Sequence, residues 1–262
     1  MPEQAISNKR MPLKLVICGM EHTGTTLVSD LFRQVPGIDA GFEGGVLLCD
    51  TPSAFRNLPP FSHNILKGWG ITQDEFALCC DAPDHAEFYK RLKSFSRVLA
   101  PETQQVFDKT PRYIAQLDDC LRRVDVPFVV THKDPRAIVA SDFKRAKVDD
   151  FDAWYRDYMR PKRRYMKTCY TQWLAARQNP RVVSVGLEDM AMNARATLER
   201  LFAHAGLKFH LSYAVMDKLR YANTRANFVS AAIAFEYMSK ISASDQARIR
   251  EDFAEMDAWY YE

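Results

Sequence analysis

The sequence predicts an α/β fold: a single domain with a central parallel sheet flanked by helices. Three observations carry this. Short apolar runs of strand length alternate with longer segments of helical periodicity. The first run, Leu13–Cys18 (LKLVIC), passes through a glycine loop into a helical pattern. No repeat, low-complexity tract or linker divides the chain, so residues 1–262 read as one unit, with 1–12 a flexible N-terminal tail.

After that first strand, Thr25–Val35 sets Leu27, Leu31 and Phe32 on one helical face, and Pro36-Gly37 stops it. Ile38–Phe42 reads as a second strand. Leu48–Gly70, rich in Pro, Asn, Ser and Gly, reads as an irregular excursion. Thr72 and Glu75 have capping-box spacing and open helical segments that run toward Ala100, with a break at Ala82-Pro83-Asp84. Gln105–Asp108 is the third strand, Tyr113–Val124 a helix, and Pro127–Thr131 (PFVVT) the fourth strand. Pro135–Lys147 is a helix opened by its proline. Phe151–Arg177 is a long helical region rich in aromatic and basic residues, interrupted at Pro161. Arg181–Val185 is the fifth strand. Asn193–Ala205 is an amphipathic helix stopped by Gly206, and Ser244–Trp259 is a final helix.

The composition excludes several classes of function. With 47% hydrophobic and 26% charged residues the chain is ordinary globular protein, and a net charge of +3 is too small for a nucleic-acid binder. No apolar run of about 18 residues spans a membrane, and the polar start, Met1 to Arg10, is not a signal peptide. Cys18, Cys49, Cys79, Cys80, Cys120 and Cys169 lack metal-ligand spacing. They read as free thiols in a reducing cytoplasm, and no metal site is expected.

The loop Gly19-Met20-Glu21-His22-Thr23-Gly24-Thr25-Thr26 has the Gly-x-x-x-x-Gly spacing of a phosphate cradle between strand and helix. Its glycines let backbone N–H groups converge, and the helix N-terminus adds partial positive charge. Enzymes that use nucleoside triphosphates carry a lysine after the second glycine. Here it is Thr25, so a ligand with a single 5′-phosphate-like group fits better.

The run LVICGMEHTGTTLVSDLF resembles the 5′-phosphosulfate loop, G-x-P-[RK]-S-G-T-T-L, of the sulfotransferases that use 3′-phosphoadenosine-5′-phosphosulfate (PAPS). The resemblance implies a P-loop-like fold and donor contacts from Gly19, His22, Thr23, Gly24, Thr25 and Thr26. His22 stands where the family has Arg or Lys. That leaves the charge to a protonated imidazole under mildly acidic conditions, below pH about 6.5, or to another cation.

Phe107-Asp108-Lys109-Thr110-Pro111-Arg112-Tyr113 resembles the family's segment after a core strand. The resemblance puts Lys109 beside the transferring sulfuryl group, where a cation acts mainly in the transition state. Glu43, between Phe42 and Gly44, matches the general base of the carbohydrate and tyrosylprotein branches, which the chain resembles more than the cytosolic phenol and steroid branch, where a histidine serves. His63 is a weaker candidate base. Phe128–Ser141 resembles the 3′-phosphate segment R-D-P-R-A-V-x-x-S and assigns Lys133 and Ser141 to that phosphate, with Arg136 turned to the fold or to a carboxylate. Val185–Met190 and Leu198–Leu207 are weaker echoes, and Arg220–Arg225 sits where a loop closes over the donor's 3′-phosphate.

The expected function is sulfuryl transfer from PAPS to a hydroxyl on a glycan, lipid, peptide or small metabolite. Glu43, Lys109 and His22 are the catalytic candidates. Two rivals are an ATP-dependent small-molecule kinase and a non-catalytic nucleotide-binding module. The basic cluster Arg160, Lys162, Arg163, Arg164 and Lys167 reads as a solvated face or a wall for an anionic acceptor, and the aromatics from Trp154 to Trp173 as core.

Overall fold

A computed structural model of the chain describes residues 11–219, 231–257 and 259. Its strands are β1 (Leu13–Gly19), β2 (Ile38–Asp39), β3 (Gln105–Lys109), β4 (Phe128–His132) and β5 (Val182–Gly186). All pair in parallel, in the order β2-β3-β1-β4-β5. The helices are α1 (Thr25–Arg33), α2 (Pro52–Phe55), α3 (Phe61–Trp69), α4 (Gln73–Cys80), α5 (His85–Phe95), α6 (Leu117–Arg123), α7 (Pro135–Ala146), α8 (Phe151–Ala176), α9 (Leu187–Met192), α10 (Ala194–His204), α11 (Ala231–Ala234) and α12 (Ala243–Asp252).

Parallel strands need long crossovers, and these helices cover both faces of the sheet. From Leu15 onward the two-residue period of β1 divides its side chains between two cores. Val16 and Cys18 join α3 to α8 on one face and Leu15 and Ile17 join α1, α9 and α10 on the other, while Leu13, before the register irregularity at Leu13–Val16, also packs on the first. This is the single α/β domain that the sequence predicts. Residues 1–10 of the expected tail lie outside the described residues. Met11 and Pro12 are already tied to β3, their carbonyls accepting from Gln105 Nε2 (3.0 Å) and Val106 N (2.8 Å).

Several elements differ from the reading of the sequence. The expected helix Tyr113–Val124 opens as a 3-10 segment, Pro111–Gln116, and α6 begins only at Leu117. The stretch Leu48–Gly70 is not irregular: it holds α2, with Pro52 at its first position, and α3. Phe61, Ile65 and Trp69, four residues apart, are the buried stripe of α3. Pro161 does not interrupt α8, which is continuous over 26 residues. Proline deprives the Asp157 carbonyl of its helical partner, but Asp157 is exposed, so that carbonyl is not left stranded in the core. The second strand pairs only over Ile38–Asp39, because Ala40 N turns to Asp39 Oδ1 (2.8 Å) and Phe42 N to Gly68 O (2.9 Å). The last helix ends at Asp252, and a short 3-10 turn, Ala254–Met256, follows. The capping box of α4 forms as the spacing predicts.

Candidate active site

β1 lies between β3 and β4. The chain leaves β1 toward the β2–β3 side and later crosses from β3 to β4 on the other side. In such a sheet the crevice at the carboxyl ends of the strands, where the order reverses, receives the ligand. Three loops meet there, after Gly19, Lys109 and His132, and they hold most of the candidate residues.

The loop after β1 needs glycine at its start for a steric reason. A Cβ on Gly19 would stand 2.2 Å from Thr131 Oγ1 and 2.4 Å from Thr131 O. Thr23 is fully buried: its hydroxyl donates to Met20 O (2.6 Å) and meets Thr131 Oγ1 at 2.7 Å. Its side chain therefore fastens the loop to β4. Gly24, at φ 95°, caps α1 without a side-chain bond. The first helical bond runs from Val28 N to Gly24 O (3.0 Å), so the amides of Thr25, Thr26 and Leu27 precede it and have no partner inside α1. His22 has a left-handed backbone, φ 72°. Its Nε2 lies 3.3 Å from Asp142 Oδ1. Burial, then the charge of Arg145, pushes the His22 pKa below the usual imidazole value, with Asp142 pulling the other way.

On the β3 side, Lys109 Nζ donates to Glu43 Oε1 at 2.9 Å and sits 4.9 Å above the Phe42 ring. These two candidates, 66 positions apart in sequence, are in direct contact. Asp108 holds their loop in place from below. It is completely buried and accepts from Gly44 N (3.1 Å), Thr110 Oγ1 (2.8 Å), Tyr89 OH (2.5 Å) and Tyr113 OH (2.7 Å). Thr110 Oγ1 in turn accepts from Gly45 N (3.1 Å), and Tyr113 OH from Leu47 N (3.3 Å). A Cβ on Gly44 would fall 2.3 Å from Asp108 Oδ2, so the approach requires glycine. Burial, reinforced by Asp108, pushes both tyrosine hydroxyls well above their ordinary pKa, and they stay protonated donors.

On the β4 side, Lys133 is buried, and burial lowers its pKa while Glu188 opposes the shift. Glu188 Oε1 accepts from Asp134 N (2.9 Å), and its own burial raises its pKa. Arg136 pairs with Asp134 rather than facing the crevice. Ser141 Oγ accepts from Arg145 Nη1 at 2.8 Å. Asp142, beside it, gathers His22, Lys162 Nζ (2.8 Å) and Tyr158 OH (2.6 Å).

The structure thus joins Glu43 with Lys109, and brings His22 to Asp142, next in sequence to Ser141. His63 is elsewhere: it lines a cavity of about 970 Å³ with Phe42, Lys67 and Arg33, to which neither Glu43 nor Lys109 contributes. The basic cluster divides. Lys162 turns inward to Asp142, Arg163 and Lys167 face Glu255 at 3.5 and 3.3 Å, and Arg160 and Arg164 line an outer groove. Tyr155 and Trp173 are core, as their helical spacing implies. Arg220–Arg225 lies outside the described residues. Among those residues, no three His, Cys, Asp or Glu side chains gather as a metal site requires, and no helix is long and apolar enough to cross a membrane.

The motif reading gave no role to Asp108, Tyr89, Tyr113, Asp142 or Arg145, and placed Lys162 on a solvated face or an acceptor wall rather than against Asp142. Asp108 carried a signal: a carboxylate inside an apolar strand run must be satisfied from nearby. Tyr89 and Tyr113 carried none, because helix and turn aromatics are normally read as core.

With this geometry in hand, comparison with known proteins decides the family. Residues 13–210 match the sulfotransferase family. The chain belongs to that family. Its fold is similar to that of two solved sulfotransferase domains. One is from the olefin synthase of Synechococcus PCC 7002, with 17% identity, 92% of this chain and 94% of that one covered, and a TM-score of 0.61. The other is from the curacin biosynthetic pathway, with 15% identity, 94% and 98% coverage, and a TM-score of 0.61. Retinol dehydratase, solved with androsterone and the inactive cofactor PAP, aligns with 13% identity, 96% and 83% coverage, and a TM-score of 0.50. No curated protein matches the chain.

Proposed function

We propose that this sulfotransferase moves the sulfuryl group of PAPS to a hydroxyl acceptor by direct in-line displacement, with Glu43 as general base. The observation that carries the reading is the Glu43–Lys109 pair, 2.9 Å apart, at the carboxyl end of β3 beside the phosphate loop. Glu43 removes the acceptor's proton as its oxygen bonds to sulfur. The bond between sulfur and the bridging oxygen breaks, and adenosine 3′,5′-bisphosphate leaves. Lys109 meets the charge that builds on the departing phosphate, a contribution made in the transition state. The unpaired amides at the start of α1, from Thr25 onward, receive the 5′-phosphate, with Gly19 and Gly24 shaping the loop. Lys133 and Ser141 receive the 3′-phosphate. A lysine there keeps the charge but not the two-pronged grip of arginine.

The pair also holds each partner ready. Lys109 keeps Glu43 turned inward rather than into solvent, and the Asp108 network fixes the loop that carries it. The six thiols are all unbridged, which suits the reducing cytoplasm expected from the sequence.

Calorimetric titration tests the donor. Adenosine 3′,5′-bisphosphate is expected to bind saturably and more tightly than AMP, and Lys133→Ala to erase most of that preference. Binding of Mg-ATP in its place would return the chain to the kinase reading. For the chemistry, an acceptor is first found among phenols, sugars and alcohols. Glu43→Gln is then expected to lower turnover by about 10²–10⁴-fold, the usual worth of a positioned base. Lys109→Ala should lower it by about 10²–10³-fold. Full turnover in either variant sinks the mechanism.

A further inference from the structure

Two donor-facing positions of this chain have less cationic reach than the family pattern: His22 replaces Arg or Lys in the phosphate loop, and Lys133 replaces Arg after β4. The cations around the crevice mostly have carboxylate partners. Lys109 is on Glu43, Lys162 on Asp142 and Arg136 on Asp134. Arg145 differs. Its Nη1 donates to Ser141 Oγ (2.8 Å) and Ser141 O (3.4 Å), and among the described residues it has no carboxylate partner. It stands in the last turn of α7, three residues after Asp142, so both lie on one helix face, the face that meets His22.

We propose that Arg145 is a donor-binding residue: its guanidinium supplies the anionic groups of PAPS with the charge missing at His22, from a position between the phosphate loop and the 3′-phosphate residues. This rests on the donor assigned above. The hydrogen bond to Ser141 adds a second effect. Because Ser141 Oγ accepts from Arg145, its own O–H is left to donate outward, as a phosphate oxygen requires. The guanidinium keeps further N–H groups for the same anion, in a fork that matches phosphate geometry. The last turn of a helix also favours a cation, which helps hold Arg145 in place.

The surrounding electrostatics agree with this placement. Arg145 is the foremost charge depressing His22, and it also depresses Lys133, so its field reaches both loops. Lys133 and Arg145, a cation with no carboxylate partner among the described residues, are poised for a polyanion, whose arrival relieves the repulsion between them and favours the protonated form of His22.

The test is adenosine 3′,5′-bisphosphate titrated into Arg145→Gln, Arg145→Lys and the double variant Arg145→Gln/His22→Arg, with thermal unfolding of each. Arg145→Gln is expected to bind about 10- to 100-fold more weakly, the range for a charge-assisted contact, with its unfolding midpoint unchanged because the side chain is exposed. Arg145→Lys should recover part of the loss, and so should His22→Arg in the Arg145→Gln background, since the missing quantity is charge at the loop. Binding by Arg145→Gln within two-fold of the wild type overturns the inference and leaves the donor reading intact. A loss that neither substitution restores overturns it too, by showing that the residue acts through the fold. If the wild type itself binds no bisphosphate, the donor reading falls and this inference with it.

Discussion

On the β3 side of β1, four neutral donors converge on one buried carboxylate, Asp108, and the ions Glu43 and Lys109 ride on that frame. On the β4 side the polar groups are mostly titratable side chains nearer solvent: His22 and Lys162 share the Asp142 carboxylate, and Arg145 bonds only the hydroxyl and carbonyl of Ser141. A buried carboxylate with all its bonds made is stiff, because losing any partner strands a polar group in low dielectric. Partly exposed ion pairs are worth little each and rearrange easily. The difference suits the two tasks. On the function proposed above, the β3 side would hold a base and a cation in fixed positions, and the β4 side would take up and let go a highly charged nucleotide.

The sharpest break in this comparison is Asp108→Ala. It strands Tyr89 OH, Tyr113 OH, Thr110 Oγ1 and Gly44 N in a site with no solvent access. The expected cost is about 3–5 kcal/mol of stability, the range for removing one member of a buried charged network. Urea unfolding reads it directly. The same loss applied to the other side, Asp142→Ala, should cost less, about 1–2 kcal/mol, because its partners His22, Lys162 and Tyr158 are only partly buried. Equal costs at the two positions would end the distinction between a stiff side and a soft one.

Next in size is a pH effect rooted in β4 itself. Burial pushes the His132 pKa down to about 4, and its Nδ1 has no hydrogen-bond partner among the described residues. The unfolded chain takes up this proton near pH 6.5. Between pH 6.5 and 4 the unfolded state therefore binds more protons, and stability drains away as pH falls through that window. The neutral imidazole's contribution is complete above pH 6.5, and the full loss is about 3 kcal/mol. His132→Asn, compared with the wild type by urea unfolding at pH 7.5, 5.5 and 4.5, should show a shallower decline. Parallel declines would mean that carboxylates alone set the acid limit.

Much of this was legible in the sequence, and the part that was not has a physical explanation. Strand runs such as LKLVIC and PFVVT are short, apolar and bounded by turn residues, so β1 and β4 could be read locally. The register that puts Ile17 beside Lys109 and Gly19 beside Thr131 could not, since pairing is a property of the whole sheet. The same holds within the site. Gly19 to Thr26 form one contiguous loop and announce themselves, and the resemblance supplied Glu43, Lys109, Lys133 and Ser141. The contact between Glu43 and Lys109, however, spans 66 residues, and α8 delivers Tyr158 and Lys162 to Asp142 through a helix that runs unbroken across Pro161. Residues that support a site from another element leave no local pattern, and α3 was hidden because its Pro- and Asn-containing approach outweighed the spacing of Phe61, Ile65 and Trp69.

The smallest expected effect tests the soft side at its most unusual residue. With its pKa held below the imidazole norm by burial and by Arg145, His22 gains its charge only on acidification. A neutral imidazole whose Nε2 faces Asp142 brings no net charge to the phosphate loop; the protonated form does. Affinity for adenosine 3′,5′-bisphosphate should therefore rise as pH falls from 7.5 to 5.5, by a factor of about 5, less than 1 kcal/mol, as for one partly screened charge. The nucleotide's own phosphates titrate in the same range, so the informative quantity is the difference from His22→Gln, which cannot gain the proton. Calorimetry on both proteins across the interval should show the rise in the wild type alone. In Arg145→Gln, where the cation that depresses His22 is gone, the rise should begin at higher pH, because the two residues compete to carry one charge beside the same loop. A rise of the same size in His22→Gln would place the titrating group elsewhere and leave Arg145 to act without reference to His22.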